Sequence, residues 1–490
     1  MNMVSLLPSF VVIPLFTGLI LSIKSKKMWY THFIALGSTI LLSILALLTP
    51  LENSYYHVGG YNDFVGITLA IDPLSRIVLI MVQVLVFLAC WYSIGYMDHY
   101  TDHSRYYALV FFMLAGMNGI LITADFFNLF VFMEIATLAS YALVAYGGKS
   151  HELEASFKYL VLGSVSSLFV LFGIALIYSQ TAALNMFIVS ERLDFSTPIA
   201  WLIVVMMSAG LGLKSALFPF HSWLPDAHSS APAPISAVLS GVLIKAVGIY
   251  VMLRFYFNIV GIENAPLSLI AWLGALSSLT GVILAMGQHD FKRLLACHSV
   301  SQVGYIFIGI GLGTYWGLLG AILHMINHAA FKSLLFLNAG SIEHASGERN
   351  FHQMGGLAKV MPWSNATSFI GFTAIGGVPP LNGFWSKLLL MLACIMSGQW
   401  ALALIIACVA LMTLTLFPKI QKYVFLGDLP EKFKKVKESP LSMIFPMLIL
   451  CFFCITLGLL LLVPSWREYY LVSAVNVLLG GKWLGSSYVP

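Results

Sequence analysis

Long apolar runs, each closed by a short polar stretch, recur along the whole sequence. A helix that crosses a bilayer needs about 20 such residues. On that measure the pattern predicts spans near 3–23, 30–50, 73–97, 105–123, 126–147, 156–179, 197–221, 231–256, 265–287, 294–313, 316–344, 362–398, 400–426 and 441–463. The first run, MNMVSLLPSFVVIPLFTGLILSI, has no charged leader, is too long for a signal peptide and is followed by no small-residue cleavage site, so it is expected to be span one. Residues 54–72, polar and glycine-rich, are expected to form an external loop, and 464–490 a short tail without a further span. The fold class is therefore an all-α integral membrane bundle of about fourteen transmembrane helices.

Three places break the pattern. Spans seven and eight are joined through FPFHSWLPDAHSSAPAP, span twelve carries GGVPPLNG at its middle, and span eleven is long and polar mid-span. Broken helices at membrane depth are tolerated only where they face protein or a water-filled cavity. Interruptions in both halves predict an inverted-repeat transporter with its site at the midplane.

Composition removes the soluble alternative. Of 490 residues, 59% are hydrophobic and only 9% charged, against about 25% charged in a soluble domain. The net charge of +5 matters less than its placement. Fourteen spans put Lys24, Lys26, Lys27, Arg105, Lys149, Lys158, Lys292, Arg293, Arg349, Lys359, Lys419, Lys422, Lys432, Lys434, Lys435 and Lys437 on one face. Arg76, Arg192, Arg254, Arg467 and Lys482 fall on the other. By the positive-inside rule the first face is cytoplasmic, and both termini are expected outside the cytoplasm of a prokaryotic cytoplasmic (inner) membrane. The densest basic run, Lys432 to Lys437, lies between two apolar spans and does not suit nucleic acid. Cys90, Cys297, Cys394, Cys408, Cys451 and Cys454 all lie in or beside apolar stretches. They form no paired C-x-x-C set and are expected to be small buried hydrophobes, with no metal site, no iron–sulfur cluster and no cofactor in this chain.

Against this background a few charges stand out. Glu134 lies near the middle of span five, Lys214 just before Pro219 in span seven, Lys245 in span eight, and Lys387 just after Pro379–Pro380 in span twelve. His298 lies in span ten, and His324, His328 and Lys332 form H-x3-H-x3-K on one face of span eleven. Each charge at mid-membrane costs roughly 2.5–3.5 kcal/mol, so four lysines and a glutamate cost on the order of 10 kcal/mol unless they pair or meet water. A static ion pair explains Glu134 with Lys214, freed carbonyls explain Lys387, and a packing face explains span eleven. No such reading explains single lysines spread over four spans. Proton transfer does: burial draws a lysine's pKa toward neutrality, a nearby carboxylate pushes it back, and histidines titrate between. The relay this suggests runs from Glu134–Lys214 through Lys245 and the histidines to Lys387. His221, Asp226 and His228, in the break between spans seven and eight, are expected to line a cytoplasmic intake, and Asp125 to cap a helix.

The segments GLKSALFPFHSWLPDAHSSAPAPISAVLSGVLIKAVGIY, HMINHAAFKSLLFLNAGSI and GGVPPLNGFWSK resemble the antiporter-like subunits of Mrp-type sodium/proton antiporters, respiratory complex I and membrane-bound hydrogenases. The resemblance covers about residues 70–425. It implies fourteen helices with two inverted five-helix repeats. The expected division is 1–103 for spans one to three with the loop, 104–256 and 265–426 for the repeats, and 441–490 for the last span and tail. It also implies that Glu134, Lys214, Lys245, His324 or His328, and Lys387 carry the family's ion path. Many members have a histidine where this chain has Gln302, with His298 one turn earlier. The M-type subunit of complex I usually ends its relay in glutamate rather than lysine, and the L-type and Mrp A-type subunits carry long C-terminal extensions. The resemblance therefore points to the Mrp D-type subunit, the complex I N-type subunit or their hydrogenase and sulfur-reductase counterpart.

The function expected is a proton-translocating subunit of a multisubunit complex, moving H+, with Na+ coupled to it or exchanged elsewhere. Its partners would be sister antiporter-like chains, other hydrophobic subunits, the bilayer and, in a redox complex, hydrophilic iron–sulfur subunits. In an NADH:quinone or hydrogenase-type oxidoreductase it would be the pump and not the redox catalyst. A quinone-binding redox subunit, a passive scaffold and a stand-alone carrier of a small organic ion are the other classes.

Overall fold

The polar residues that punctuate the apolar runs become helix caps. Asp72, Asp125 and Asp290 accept the backbone N–H of Ser75 (2.9 Å), Asn128 (2.8 Å) and Arg293 (2.8 Å), satisfying donors that a helix start leaves free. The computed structural model describes residues 3–23, 28–50, 52–100 and 102–481; Lys24, Lys26, Lys27, Lys482 and the tail beyond Gly481 lie outside the described residues.

Among the described residues, twelve helices are long and apolar enough to cross a membrane. They are spans one to six (Val4–Ser22, Met28–Leu48, Pro73–Tyr96, His103–Ile122, Phe126–Val144, Ser150–Thr181), eight to eleven (Ala233–Val260, Leu267–Met286, Phe291–Leu312, Tyr315–Ser346), thirteen (Trp400–Phe425) and fourteen (Leu441–Leu460). Spans seven and twelve are each broken in two: Pro198–Lys214 with Trp223–Ser230, and Pro362–Gly376 with Asn382–Met396. The all-α bundle of about fourteen spans read from the sequence is the architecture found.

Burial sorts these spans. Eight, ten and eleven are buried almost throughout, whereas one, two, six and thirteen expose side chains such as Phe16, Phe33, Leu168 and Leu411 to lipid. Small residues let the central helices touch: a Cβ on Gly304 would meet the Ser278 backbone at 2.5 Å.

Several expectations need correction. Span eleven is one continuous 32-residue helix; its polar side chains are buried by neighbouring spans and need no break. The irregular span is the eighth, whose hydrogen bonding slips to π-type over Leu239–Leu243, Lys245–Tyr250 and Arg254–Val260. The segment 54–72 holds an antiparallel hairpin, Ser54–His57 against Thr68–Ile71. The tail contains a helical stretch over 464–479 whose end, Ser473–Leu479, packs against span three. Arg76 and Arg254, counted from sequence as cations of one face, are buried within helices. Five cysteines are buried, but Cys408 is exposed because its side of span thirteen faces outward.

One arrangement occurs twice. Phe126 N–H donates to Leu184 O (2.9 Å) and Met186 N–H to Ala124 O (2.8 Å), tying the start of span five to the segment after span six. Phe291 N–H donates to Arg349 O (3.0 Å) and Phe351 N–H to His289 O (3.2 Å), tying span ten to the segment after span eleven. Five crossings separate the two ties, so they lie at opposite faces of the bundle.

Candidate functional site

The break in span seven places its lysine. The helix ends at Lys214, the chain turns through Ala216 at φ +54°, and Trp223 Nε1 donates back to Leu213 O (3.0 Å). Gly248 of span eight makes room for this turn, since a Cβ there would run into Ser215. Lys214 is thereby sealed inside, its side chain 3% exposed, with Nζ 3.5 Å from Glu134 Oε1 of span five. Nζ also donates to Ser167 Oγ (3.0 Å), and this hydroxyl of span six donates to Glu134. The sequence pairing of Glu134 with Lys214 holds; Ser167 was missed, because a lone serine in a membrane helix carries no signal of its own.

Between Lys214 and residues Leu243, Ile244 and Val247 of span eight lies a small cavity of ≈ 10 Å³, room for about one water molecule. Beyond it Lys245, fully buried, donates to the Ser240 carbonyl one turn earlier. From the other polar atom of Ser240, its hydroxyl, a series of contacts reaches span eleven. Ser240 Oγ lies 2.9 Å from Ser299 Oγ, Ser299 donates to Leu295 O (3.0 Å), and Lys332 Nζ donates to the same carbonyl (2.5 Å). Ser240 and Ser299 were also not singled out by the sequence, although each lies within about one turn of a residue that was.

The histidines cluster as their spacing predicts. The His324 and His328 rings are parallel with centroids 6.3 Å apart. His324 Nδ1 meets Ser386 Oγ at 2.9 Å, and its ring contacts Tyr305 at 5.3 Å. Thr413 donates to Val409 O (2.8 Å), and its oxygen lies 3.1 Å from His298 Nε2. Lys387 ends the series. Its Nζ donates to Ile375 O (2.6 Å) and lies over the Tyr305 ring at 5.4 Å. Gly377, at φ +82°, turns the chain there in a conformation that favours glycine, and a Cβ on it would press on Lys387 at 3.2 Å.

Among the described residues this core is rich in buried polar atoms without a protein partner. They include His298 Nδ1, His324 Nε2, both ring nitrogens of His228 and His328, and both amide atoms of Gln302. Such atoms are satisfied by internal water in folded proteins. The arrangement therefore has the parts of a hydrated proton path: titratable groups on six spans, separated by hydroxyls, carbonyls and sites for water.

At the face carrying Lys149 and Arg349, a polar cavity of ≈ 450 Å³ is lined by Lys158, Asp226, Ser229, Asp290, Arg293 and Arg349 among others. Asp226 pairs with Lys158 (3.2 Å) and Arg293 (2.9 Å). His228 lies buried close by, its ring against Trp223 and Phe336. His221 is set apart from this cavity, stacked on Phe218 at the break. Lys292, assigned to a loop by sequence, is buried and faces Glu343 at 3.5 Å.

Comparison with known proteins agrees with this architecture. Residues 123–413 match the family model described as "NADH:quinone oxidoreductase/Mrp antiporter, TM", and 61–107 match "NADH-Ubiquinone oxidoreductase (complex I), chain 5 N-terminus". The chain is 35% identical to the N-type subunit of the NADH-quinone oxidoreductase of Desulforudis audaxviator, over 82% of this chain and 84% of that one. It is 32% identical to the D-type subunit of the Na(+)/H(+) antiporter of Alkalihalophilus pseudofirmus, over 94% of both. A chain of the Mrp complex from Dietzia sp. superposes with a TM-score of 0.89 at 26% identity, covering 98% of both chains. The fold and the buried charges define a multi-pass, antiporter-like membrane subunit. The chain belongs to the family shared by complex I, Mrp antiporter and hydrogenase-4 subunits, whose members build multisubunit membrane complexes.

Proposed function

We propose that this subunit translocates protons across the prokaryotic cytoplasmic membrane along the buried series Lys214, Lys245, Lys332, His328, His324, His298 and Lys387. The observation that carries the reading is the polar connection from Lys245 through Ser240, Ser299 and the Leu295 carbonyl to Lys332. Ion pairing does not explain it, since no carboxylate takes part. Intramembrane ionisable groups joined in this way mark ion pathways.

Protons enter from the cytoplasm through the polar cavity at Asp226 and pass His228. Glu134 and Lys214 act as the switch. With the pair closed, Lys214 keeps its proton; with the pair apart, burial favours release toward Lys245. The two matching backbone ties support inverted repeats over 104–256 and 265–426, with the site between them. H+ is the ion moved in this chain, and any Na+ exchange belongs to the assembled complex.

The complex favoured is an Mrp-type antiporter, with this chain as its D-type member. The end-to-end match to D-type antiporter chains, 98% of both for that of Bacillus subtilis, supports it. A redox-driven complex is the second reading, favoured by the 35% identity to a quinone oxidoreductase component. Purification of tagged protein in mild detergent separates them: small hydrophobic and sister antiporter-like chains indicate the first, iron–sulfur or nickel subunits the second. In proteoliposomes of the same complex, Lys214→Met is expected to abolish proton movement with assembly intact; full movement would refute the relay.

A further inference from the structure

Away from the relay, spans three, eleven and fourteen and the C-terminal helical stretch enclose an apolar groove of ≈ 270 Å³. Its walls include Ile80 and Val84 of span three, Ile326 and Ala330 of span eleven, Leu457 of span fourteen and Tyr470 of the C-terminal stretch. Along span three it runs from Ile77 to Leu85, a rise of about 12 Å. One leaflet of the hydrocarbon core is about 15 Å deep.

Arg76 stands at the end of the groove nearest the start of span three, only 6% exposed. Its Nε donates to Thr49 Oγ1 (3.2 Å) and its Nη2 to Leu47 O (2.9 Å), while its guanidinium carbon lies 5.7 Å from the Tyr470 ring centre. Leu47 and Tyr470 both line the groove. Among the described residues Nη1 is buried without a protein partner. The carboxylate one turn earlier, Asp72, is already held by Arg254 at 2.5 Å. The site thus joins a cation with a free donor to an apolar slot one leaflet deep.

We propose that this groove binds a membrane phospholipid, its phosphate on Arg76 and one acyl chain between spans three, eleven and fourteen. Guanidinium donors suit phosphate oxygens, and the slot suits an alkyl chain. The free Nη1 favours a phospholipid over an uncharged isoprenoid. The lipid chain packs on Ile326, Ala329 and Ala330, which flank Asn327 and His328. It therefore braces the outer side of the helix that carries three groups of the relay.

The test is native mass spectrometry of the purified assembled complex, with phosphatidylglycerol, phosphatidylcholine or decylubiquinone added back to delipidated protein. The unaltered complex is expected to retain phospholipid. Arg76→Gln should weaken phosphatidylglycerol binding about fivefold, and Arg76→Lys should restore most of it. Val84→Phe should reduce binding of both phospholipids with the melting temperature kept. Equal retention in all variants would overturn the site. So would retention by the lone chain but not by the complex, where a partner subunit would then fill the groove. Displacement by decylubiquinone, with phosphatidylglycerol affinity unchanged in Arg76→Gln, would overturn the choice of phospholipid.

Discussion

Lys214 Nζ lies 3.5 Å from Glu134 Oε1, yet the two side chains have different surroundings: 3% of the lysine is exposed and 29% of the glutamate. The lysine faces inward to span eight, while the carboxylate is partly exposed. In the proposed relay, the exposed carboxylate is the half of the switch that a neighbouring subunit would act on.

The pair can be dissected. Hydrogen bonds to charged groups contribute roughly 1.5–3 kcal/mol. Glu134→Gln is accordingly expected to slow proton flux about tenfold or more, and Ser167→Ala, which leaves the ion pair, to slow it less. Flux in proteoliposomes containing the complex reads both; a larger effect from Ser167→Ala would reverse the assigned roles.

The proposed relay gives Lys387 two tasks, and two substitutions separate them. It donates to Ile375 O at the break of span twelve, so Lys387→Ala should lower the melting temperature and stop flux. Lys387→Arg keeps a donor for the carbonyl but holds its proton at all working pH. That variant should be folded and inactive. Full flux with arginine would make Lys387 a structural residue.

Gly248 is the contact that brings the broken turn of span seven against span eight. Gly248→Val should force Ser215 away, destabilise the protein by about 1–3 kcal/mol and lengthen the step from Lys214 to Lys245. A lowered melting temperature with a still larger loss of flux is the expected result.

Gln302 tests whether water completes the path. Among the described residues both its amide atoms are buried without a protein partner, so Gln302→Leu, which removes the amide together with the water that satisfies it, should change stability little. Flux should fall, since a water site beside His298 is lost. Gln302→His should retain flux.

Much of this was legible in the sequence because lipid makes polarity expensive. Glu134, Lys214, Lys245, Lys332 and Lys387 stand out in apolar runs for the same reason that they need partners. The proline and glycine breaks at Pro219 and Gly377 were legible too. Ser167, Ser240 and Ser299 were not, because serine is common in membrane helices and only tertiary contact gives it a role. The π-type slippage in span eight has no proline to announce it and follows from packing. Arg76 and Arg254 read as loop cations because they lie near span ends; only the fold shows them buried. The polarity of span eleven suggested a break, yet a helix covered on all sides can carry His324, His328 and Lys332 unbroken.

Lys245 is fully buried, meets no carboxylate among the described residues and bonds to a backbone carbonyl; the proposed relay requires protons to pass through it. The direct measurement is the proton flux of the assembled complex in sealed proteoliposomes, comparing the unaltered chain with Lys245→Met. Flux at the background level, with the full set of subunits still assembled, is the expected result. Unchanged flux in an intact Lys245→Met complex would contradict it.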